Sequence, residues 1–202
     1  MSLDKEDLLR AYRMMKTIRE FEERAHTEIM NGQIAGFTHL YTGQEANAVG
    51  ICEHLSDEDA IISTHRGHGH CIAKGADVPG MMKELWGSSE GLCKGKGGSM
   101  HVADIENGIL GANGIVGGGP PISVGAALAQ KIRGTTNVAV SFAGDGSVNQ
   151  GTTFEAMNLA VVLKVPAVFV IENNYYSEHT SISYAVGCDD LKARTEAFGF
   201  PV

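Results

Sequence analysis

Leu8, Leu9, Tyr12, Met15, Ile18, Phe21 and Ala25 recur at steps of mostly three and four residues, with charged residues between them. An amphipathic helix has this period. Asp4 stands where its side chain can cap the helix, and Asn31-Gly32 ends it. Gln44 to Leu55 reads as a second helix, and Ala60-Ile61-Ile62-Ser63 as a short strand leading into a loop rich in His and Gly. Met81 to Leu85 is predicted as a short helix after Pro79. From 87 to 120 the apolar period fades, so the segment is predicted to be a long functional loop. Ile122 to Ile132 reads as a helix of small residues able to pack closely on a sheet, and Leu191 to Phe198 as a last short helix.

Between these two helices lie two continuous apolar runs, Val138-Ala139-Val140-Ser141-Phe142-Ala143 and Ala167-Val168-Phe169-Val170-Ile171. Gly144-Asp145-Gly146 ends the first, and Glu172-Asn173-Asn174 ends the second. The 26 residues between Gly146 and Asn173 leave room for one helix and two turns. Two buried parallel strands joined by a crossover helix have this pattern. The predicted fold class is therefore α/β, an open, mainly parallel sheet flanked by helices. Parallel neighbours end on the same edge, ~4.8 Å apart. Asp145 and Asn174 would project together beyond the carboxyl edge, where open α/β sheets bind ligands. A carboxylate, an amide oxygen and nearby carbonyls are hard ligands that suit Mg²⁺ with part of its shell kept for a phosphate. Taken singly, Asp-Gly and Asn-Asn are ordinary turn formers.

The composition narrows the classes. At 202 residues the chain is read as one domain, 1–202, long enough for a sizeable core. Its net charge of −8, with no block of Lys or Arg, argues against binding nucleic acid through a basic patch. No apolar run approaches the length of a membrane span, and the charged N-terminus lacks a signal-peptide core, so a cytoplasmic location is expected. Cys52, Cys71, Cys93 and Cys188 have no CxxC spacing, so neither a zinc knuckle nor a dithiol motif is indicated. Many of the 26 glycines cluster at 91–119 and 144–151, marking backbone that bends tightly or approaches a ligand.

Two further segments carry candidate chemistry. His65-Arg66-Gly67-His68-Gly69-His70 invites a zinc reading, but its glycines suit a loop beside an anion, and a guanidinium fork matches a phosphate. Gly111-Ala112-Asn113-Gly114-Ile115-Val116-Gly117 lacks the G-x-G-x-x-G spacing, which argues against a dinucleotide-binding domain.

Gly144-Asp145-Gly146-Ser147-Val148-Asn149-Gln150-Gly151, continuing into Phe154-Glu155-Ala156-Met157-Asn158-Leu159-Ala160 and closed by Asn173-Asn174, resembles the thiamine diphosphate signature. In this form it is similar to the alpha subunits of the first component of 2-oxo acid dehydrogenases. Ser63 to His70 and Leu110 to Pro121 are most similar to the acetoin dehydrogenase branch of that family. The resemblance implies thiamine diphosphate and Mg²⁺ as cofactors, with Asp145, Asn174 and the Tyr176 carbonyl as metal ligands. It implies that Gly146 and Ser147 offer backbone amides to the diphosphate at the start of the next helix, and that Arg66 binds the same group. Gly114 and Val116 would contact the aminopyrimidine through their backbone, with Ile115 packed beside the cofactor. His65, which stands where pyruvate-type relatives carry Tyr, would also contact the cofactor. His65, His68 and His101 are the candidate catalytic residues, His68 being equally able to order its loop. His39 and Ser99 join His101 as candidates along the substrate channel.

The implied reaction is cleavage of acetoin with transfer of a two-carbon unit to a lipoyl group. The implied partners are a beta subunit, in a heterotetramer of two alpha and two beta chains, and a lipoyl-bearing acyltransferase. The beta subunit would supply the glutamate that activates the aminopyrimidine, so the separated chain is expected to be inactive, poorly stable and oligomeric. An alpha subunit acting on pyruvate or a branched-chain 2-oxo acid is the near alternative. The family's sequences continue past the position of Val202, so the chain is expected to be C-terminally incomplete. It is either a piece of a longer chain or a shortened relative, and a non-catalytic fragment is a further alternative.

Overall fold

The computed structural model describes residues 4–188 and 190–202. They form two compact units: the chain up to Glu58 with His65–Gly114, and Asp59–Thr64 with Ile115–Val202.

The first unit is built on helix α1 (Lys5–Met30). Asp4 accepts from the backbone N–H groups of Glu6 and Asp7 at 2.8 and 2.9 Å, while Asp7 accepts from the Asp4 N–H at 3.2 Å. This reciprocal capping box satisfies N–H groups that have no partner within the helix. Ile18, Phe21 and Ala25 are buried, and the helix packs on α2 (Glu45–Cys52), α3 (His68–Ala73) and α4 (Val78–Leu85). Leu8, Leu9 and Tyr12 stay exposed, so only the C-terminal half of the apolar stripe is covered.

Three predicted elements change their bounds here. Helix α2 stops at Cys52, three residues early. The His/Gly loop is largely the helix α3, and Gly69 lies so close to the Tyr41 ring that no Cβ would fit. Helix α4 begins at Val78, because Asp77 accepts from the Gly80 N–H at 2.7 Å and Pro79 sits in the first turn, where no donor is needed. The predicted long loop also contains structure. A 3-10 turn at Ile105–Asn107 leads into strand β2 (Ile109–Asn113), and the Ala112 N–H donates to the Val102 carbonyl at 2.7 Å. The strand spans five residues, two of them buried, so it had no clear period to read.

In the second unit β1 (Ala60–Thr64), β3 (Ala139–Gly144) and β4 (Ala167–Glu172) lie side by side and parallel. Ala60 pairs with Ala139, and Gly144 with Glu172. The crossover between β3 and β4 is helix α6 (Gly151–Leu163), which packs on α5 (Gly119–Arg133). Helix α5 lies on the sheet, where Gly119 approaches Ile62 so closely that an added Cβ would sit 3.1 Å from it. It begins three residues before the predicted start, because Pro120 and Pro121 are tolerated in a first turn. Val124, Ala156 and Ala160 form a core cluster against which Ala167, Phe169 and Phe200 pack. Strand β3 is buried over Ala139–Ala143, as its sequence predicts. Strand β4 is only half-buried, with Val168 exposed, since among the described residues it has a neighbouring strand on one side alone. A small hairpin, β5 (Tyr176–Ser177) with β6 (Thr180–Ser181), follows, then α7 (Ile182–Ala185) and α8 (Leu191–Glu196).

Candidate functional site

The β3–β4 register carries the chain out of both strands at the same edge, with Asp145 following Gly144 and Asn173-Asn174 following Glu172. Asp145 is 2% exposed. Its Oδ1 is buried without a hydrogen-bond partner. Burial pushes the Asp145 carboxyl above its usual range, while the backbone N–H groups of Asp145 and Asn174 pull the other way. The strand register sets Asn173-Asn174 alongside Asp145. The Asn174 Oδ1 accepts from the Tyr176 N–H at 3.1 Å, and the Asn173 Oδ1 from the Tyr175 N–H at 3.1 Å. These two turns bend the chain sharply enough that Tyr175 takes a left-handed φ of 68°. An amide oxygen has two lone pairs, so Asn174 keeps one for a cation.

The residues present thus fit a hard cation. A buried carboxylate oxygen without a donor costs roughly 1–3 kcal/mol, and a cation at that oxygen would remove the cost. Among the described residues no cluster of three or more His, Cys, Asp or Glu offers a different metal centre.

Gly146 and Ser147 do not open an α-helix. They lie in a 3-10 turn, Asp145–Asn149, and α6 starts only at Gly151. The Ser147 Oγ donates to the Gly144 carbonyl at 2.7 Å, which closes the turn. Arg194 of α8 braces it from outside, donating to the Val148 carbonyl at 3.0 Å and the Asn149 Oδ1 at 3.1 Å. Gly146 is dictated by Ser177, since a Cβ at 146 would sit 2.6 Å from the Ser177 Cβ. Gly146→Ala should lower the melting temperature, and Ser177→Gly added to it should restore most of the loss. Thermal unfolding of the two single variants and the double variant measures this coupling, and additive losses would sink the account. Neither Ser177 nor Arg194 carried a sequence signal, because both act from short elements that follow β4.

The first unit holds the other candidates. The half-buried His65 meets His39 edge to face, with ring centroids 4.6 Å apart. Burial, then the charges of His39 and Arg66, hold the His65 pKa below its ordinary value, which favours the neutral ring. Arg66 donates to the Leu40 carbonyl. His68 is fully buried, with Nδ1 3.0 Å from Glu22 and Nε2 2.9 Å from Ser99. Both ring nitrogens are therefore occupied, which matches the loop-ordering alternative for this residue. His101 is exposed, and its Nε2 lies 3.4 Å from where a Cβ on Gly114 would be. Ile115 and Val116 belong to the second unit and are exposed.

The loop bearing His101 is organised by a residue the sequence did not announce. Glu84 of α4 is fully buried, and its carboxylate accepts four backbone N–H groups, from Cys93, Gly95, Gly97 and Gly98, at 2.7–3.1 Å. The glycine cluster was its only signal. At Gly97 a Cβ would sit 2.9 Å from the His101 carbonyl carbon.

The family described as dehydrogenase E1 component matches residues 13–202. The alpha subunit of the acetoin:2,6-dichlorophenolindophenol oxidoreductase of Cupriavidus necator is 57% identical over 98% of this chain, and that of Bacillus subtilis 55% identical over 100%. A pyruvate dehydrogenase E1 component subunit alpha from Rhizobium meliloti is 45% identical over 98% of the chain. The chain spans about 60% of the length of these first relatives and 57% of the third. A solved Mycobacterium smegmatis structure, described as a candidate thiamin diphosphate-dependent enzyme, has 20% identity and a TM-score of 0.50, covering 82% of this chain and 26% of its own. That likeness bears on the fold alone, and agrees with a parallel sheet flanked by helices. With the family's match extending from within α1 to the last residue, the chain belongs to the dehydrogenase E1 component family.

Proposed function

We propose that this chain is the cofactor-holding part of an alpha subunit that, with a beta subunit, cleaves acetoin in a thiamine diphosphate- and Mg²⁺-dependent reaction. The observation that carries the proposal is the buried, partnerless Oδ1 of Asp145 beside Asn174 at the carboxyl edge of β3 and β4. Asp145, the Asn174 amide oxygen and the Tyr176 carbonyl would hold Mg²⁺, with the amides of Gly146 and Ser147 available to a diphosphate. Bound there, thiamine diphosphate supplies the carbanion chemistry of C–C cleavage. The chain's own residues bind and orient. Asp145 offsets the cation's charge, and the turn closed by Ser147 fixes the direction of its amides. His65, whose neutral form burial favours, offers a hydrogen bond without adding positive charge.

Acetoin is preferred over pyruvate as the substrate because the 55–57% identical relatives bear acetoin in their names, while pyruvate dehydrogenase relatives reach 41–46%. Acetoin is neutral and needs no cationic anchor for a carboxylate, and Gly117-Gly118-Gly119 removes side chains from the segment after Val116. The two-carbon unit would pass to a lipoyl-bearing acyltransferase, in the cytoplasm. Among the described residues no helix is long and apolar enough to cross a membrane.

The test is kcat/KM for acetoin and for pyruvate, with the alpha subunit reconstituted with its beta subunit. Differences in pocket contacts of this size are worth ~1–3 kcal/mol, so a preference of roughly ten- to two-hundredfold for acetoin is expected. Preference for pyruvate would move the assignment to the 2-oxo acid branch.

A further inference from the structure

We propose that Glu22, His68 and Ser99 form a positioning relay that fixes the segment from Gly97 to His101 and, with it, the His101 imidazole. The catalytic part of the test rests on the function proposed above; the relay itself rests on geometry alone.

The three residues come from α1, from α3 and from the loop after α4, and they are 0%, 0% and 7% exposed. The Glu22 carboxylate can only accept, so the His68 Nδ1–H donates to it, at 3.0 and 3.1 Å to the two oxygens. The His68 Nε2 then lies 2.9 Å from the Ser99 Oγ. In the neutral ring Ser99 donates this bond, and in the charged ring it accepts. Either way the bond is made, and the loop is tied to the two helices. Glu22 also accepts from the Tyr41 N–H at 2.9 Å, so the same carboxylate holds a further segment of the unit.

Packing alone does not require such a cluster. Apolar side chains of similar volume are often as stable as a buried ionic or polar group. What the cluster adds is direction, because each bond fixes an orientation as well as a contact. Ser99 lies two residues from His101, within a turn already pinned by Glu84 at Gly97 and Gly98. The Cys93 thiol lies 3.5 Å from the Ala103 carbonyl and 3.7 Å from the His101 carbonyl, so its one proton can go to either. The His101 ring edge faces the bare backbone of Gly114. Shifting Ser99 would therefore move His101 against its neighbour.

The experiment compares the parent alpha subunit with Ser99→Ala, Ser99→Thr and Glu22→Gln, each reconstituted with the beta subunit. The first readout is the rate at which diethyl pyrocarbonate modifies His101, followed by mass spectrometry with exposed His26 and His54 as internal standards. The second is kcat and KM for acetoin beside the affinity for thiamine diphosphate. Ser99→Ala should change the His101 rate several-fold and lower kcat/KM about tenfold, the rate equivalent of one such hydrogen bond, with cofactor affinity unchanged. Ser99→Thr, which keeps the hydroxyl, should recover both. Glu22→Gln, which keeps an acceptor for Nδ1, should lie between. A folded Ser99→Ala protein with the parent's His101 rate and kcat/KM overturns the relay. So does a lower melting temperature with the His101 rate unmoved, since the cluster would then serve packing only. If the parent turns over no acetoin, the functional proposal fails, while the His101 rates still decide the relay.

Discussion

Asp145→Asn should raise the melting temperature of the metal-free chain at neutral pH and abolish Mg²⁺-dependent binding of thiamine diphosphate. Both effects come from one atom. The Asp145 Oδ1 is buried without a hydrogen-bond donor, and burial raises the carboxyl's pKa above its unfolded value. A raised carboxyl pKa means that the folded chain binds this proton more tightly than the unfolded chain. Its contribution therefore favours folding at low pH and weakens as pH rises from the unfolded pKa through the folded one. Above that window the native state carries a charge it would be more stable without, and the neutral amide removes it. For a chain of this size each kcal/mol moves the midpoint by about 2–4 °C. The gain should vanish about a pH unit below the ordinary carboxyl value of ~3.9, where the parent carboxyl is itself protonated in both states. A cation reverses the balance, because it needs the charge that folding disfavours. Altering residues behind a metal ligand already costs ~10–100-fold in affinity, so loss of a charged ligand should exceed that. Thermal melts across pH and calorimetric titration with the cofactor, with and without Mg²⁺, read both effects. Destabilisation of the metal-free variant at neutral pH, or parent affinity for the cofactor, would sink the assignment.

Much of this edge was legible in the sequence because its determinants are local. Two apolar runs, each closed by a polar turn and separated by one helix's length, leave few arrangements other than a parallel pair with a crossover. Asp145 and Asn174 follow from that pairing, and the observed register places them as expected. The rest depended on distant partners. Helix α3 looked like a loop because His68 and His70 are polar and Gly69 is a poor helix former. They are buried because Glu22 and Ser99 satisfy His68, while the Tyr41 hydroxyl lies 3.0 Å from the His70 Nε2. No window of sequence around His68 contains those partners. The helix expected to present Gly146 and Ser147 was misplaced for the same reason. The 3-10 turn is set by Ser147 locally, but Arg194 and Ser177 shape it from much later in the chain. Strand β4 reads as buried from composition alone, and its half-exposed face depends on how many strands flank it.

Replacing Glu84 should destabilise the first unit strongly, and Gln should recover only part of the loss. One carboxylate oxygen accepts the Cys93 and Gly95 N–H groups at 2.7 and 2.8 Å, and the other accepts those of Gly97 and Gly98 at 2.7 and 3.1 Å. An added Cβ at Gly91 would sit 2.6 Å from the Glu84 Cα, so the loop folds directly onto this residue. Burial alone would raise the Glu84 pKa, but the four donors outweigh it and hold the carboxyl below its usual range. Glu84→Ala leaves four donors without an acceptor. At roughly 1–3 kcal/mol for each buried group left unsatisfied, relieved in part by water, the loss should reach about 4 kcal/mol or more. Glu84→Gln keeps one oxygen and turns the other into a donor facing donors, so one pair of bonds survives and the other becomes repulsive. The loss should be intermediate, whichever way the amide turns. The depressed pKa adds a pH signature of its own. The folded state binds this proton less tightly than the unfolded state, so the stabilisation is present above the unfolded value near 4.5 and is lost as pH falls through the folded pKa. Denaturant unfolding at pH 7 and pH 3 should therefore show the gap between Glu84→Gln and the parent narrowing in acid. A gap of equal size at both pH values would mean that the carboxylate's charge does not hold the loop.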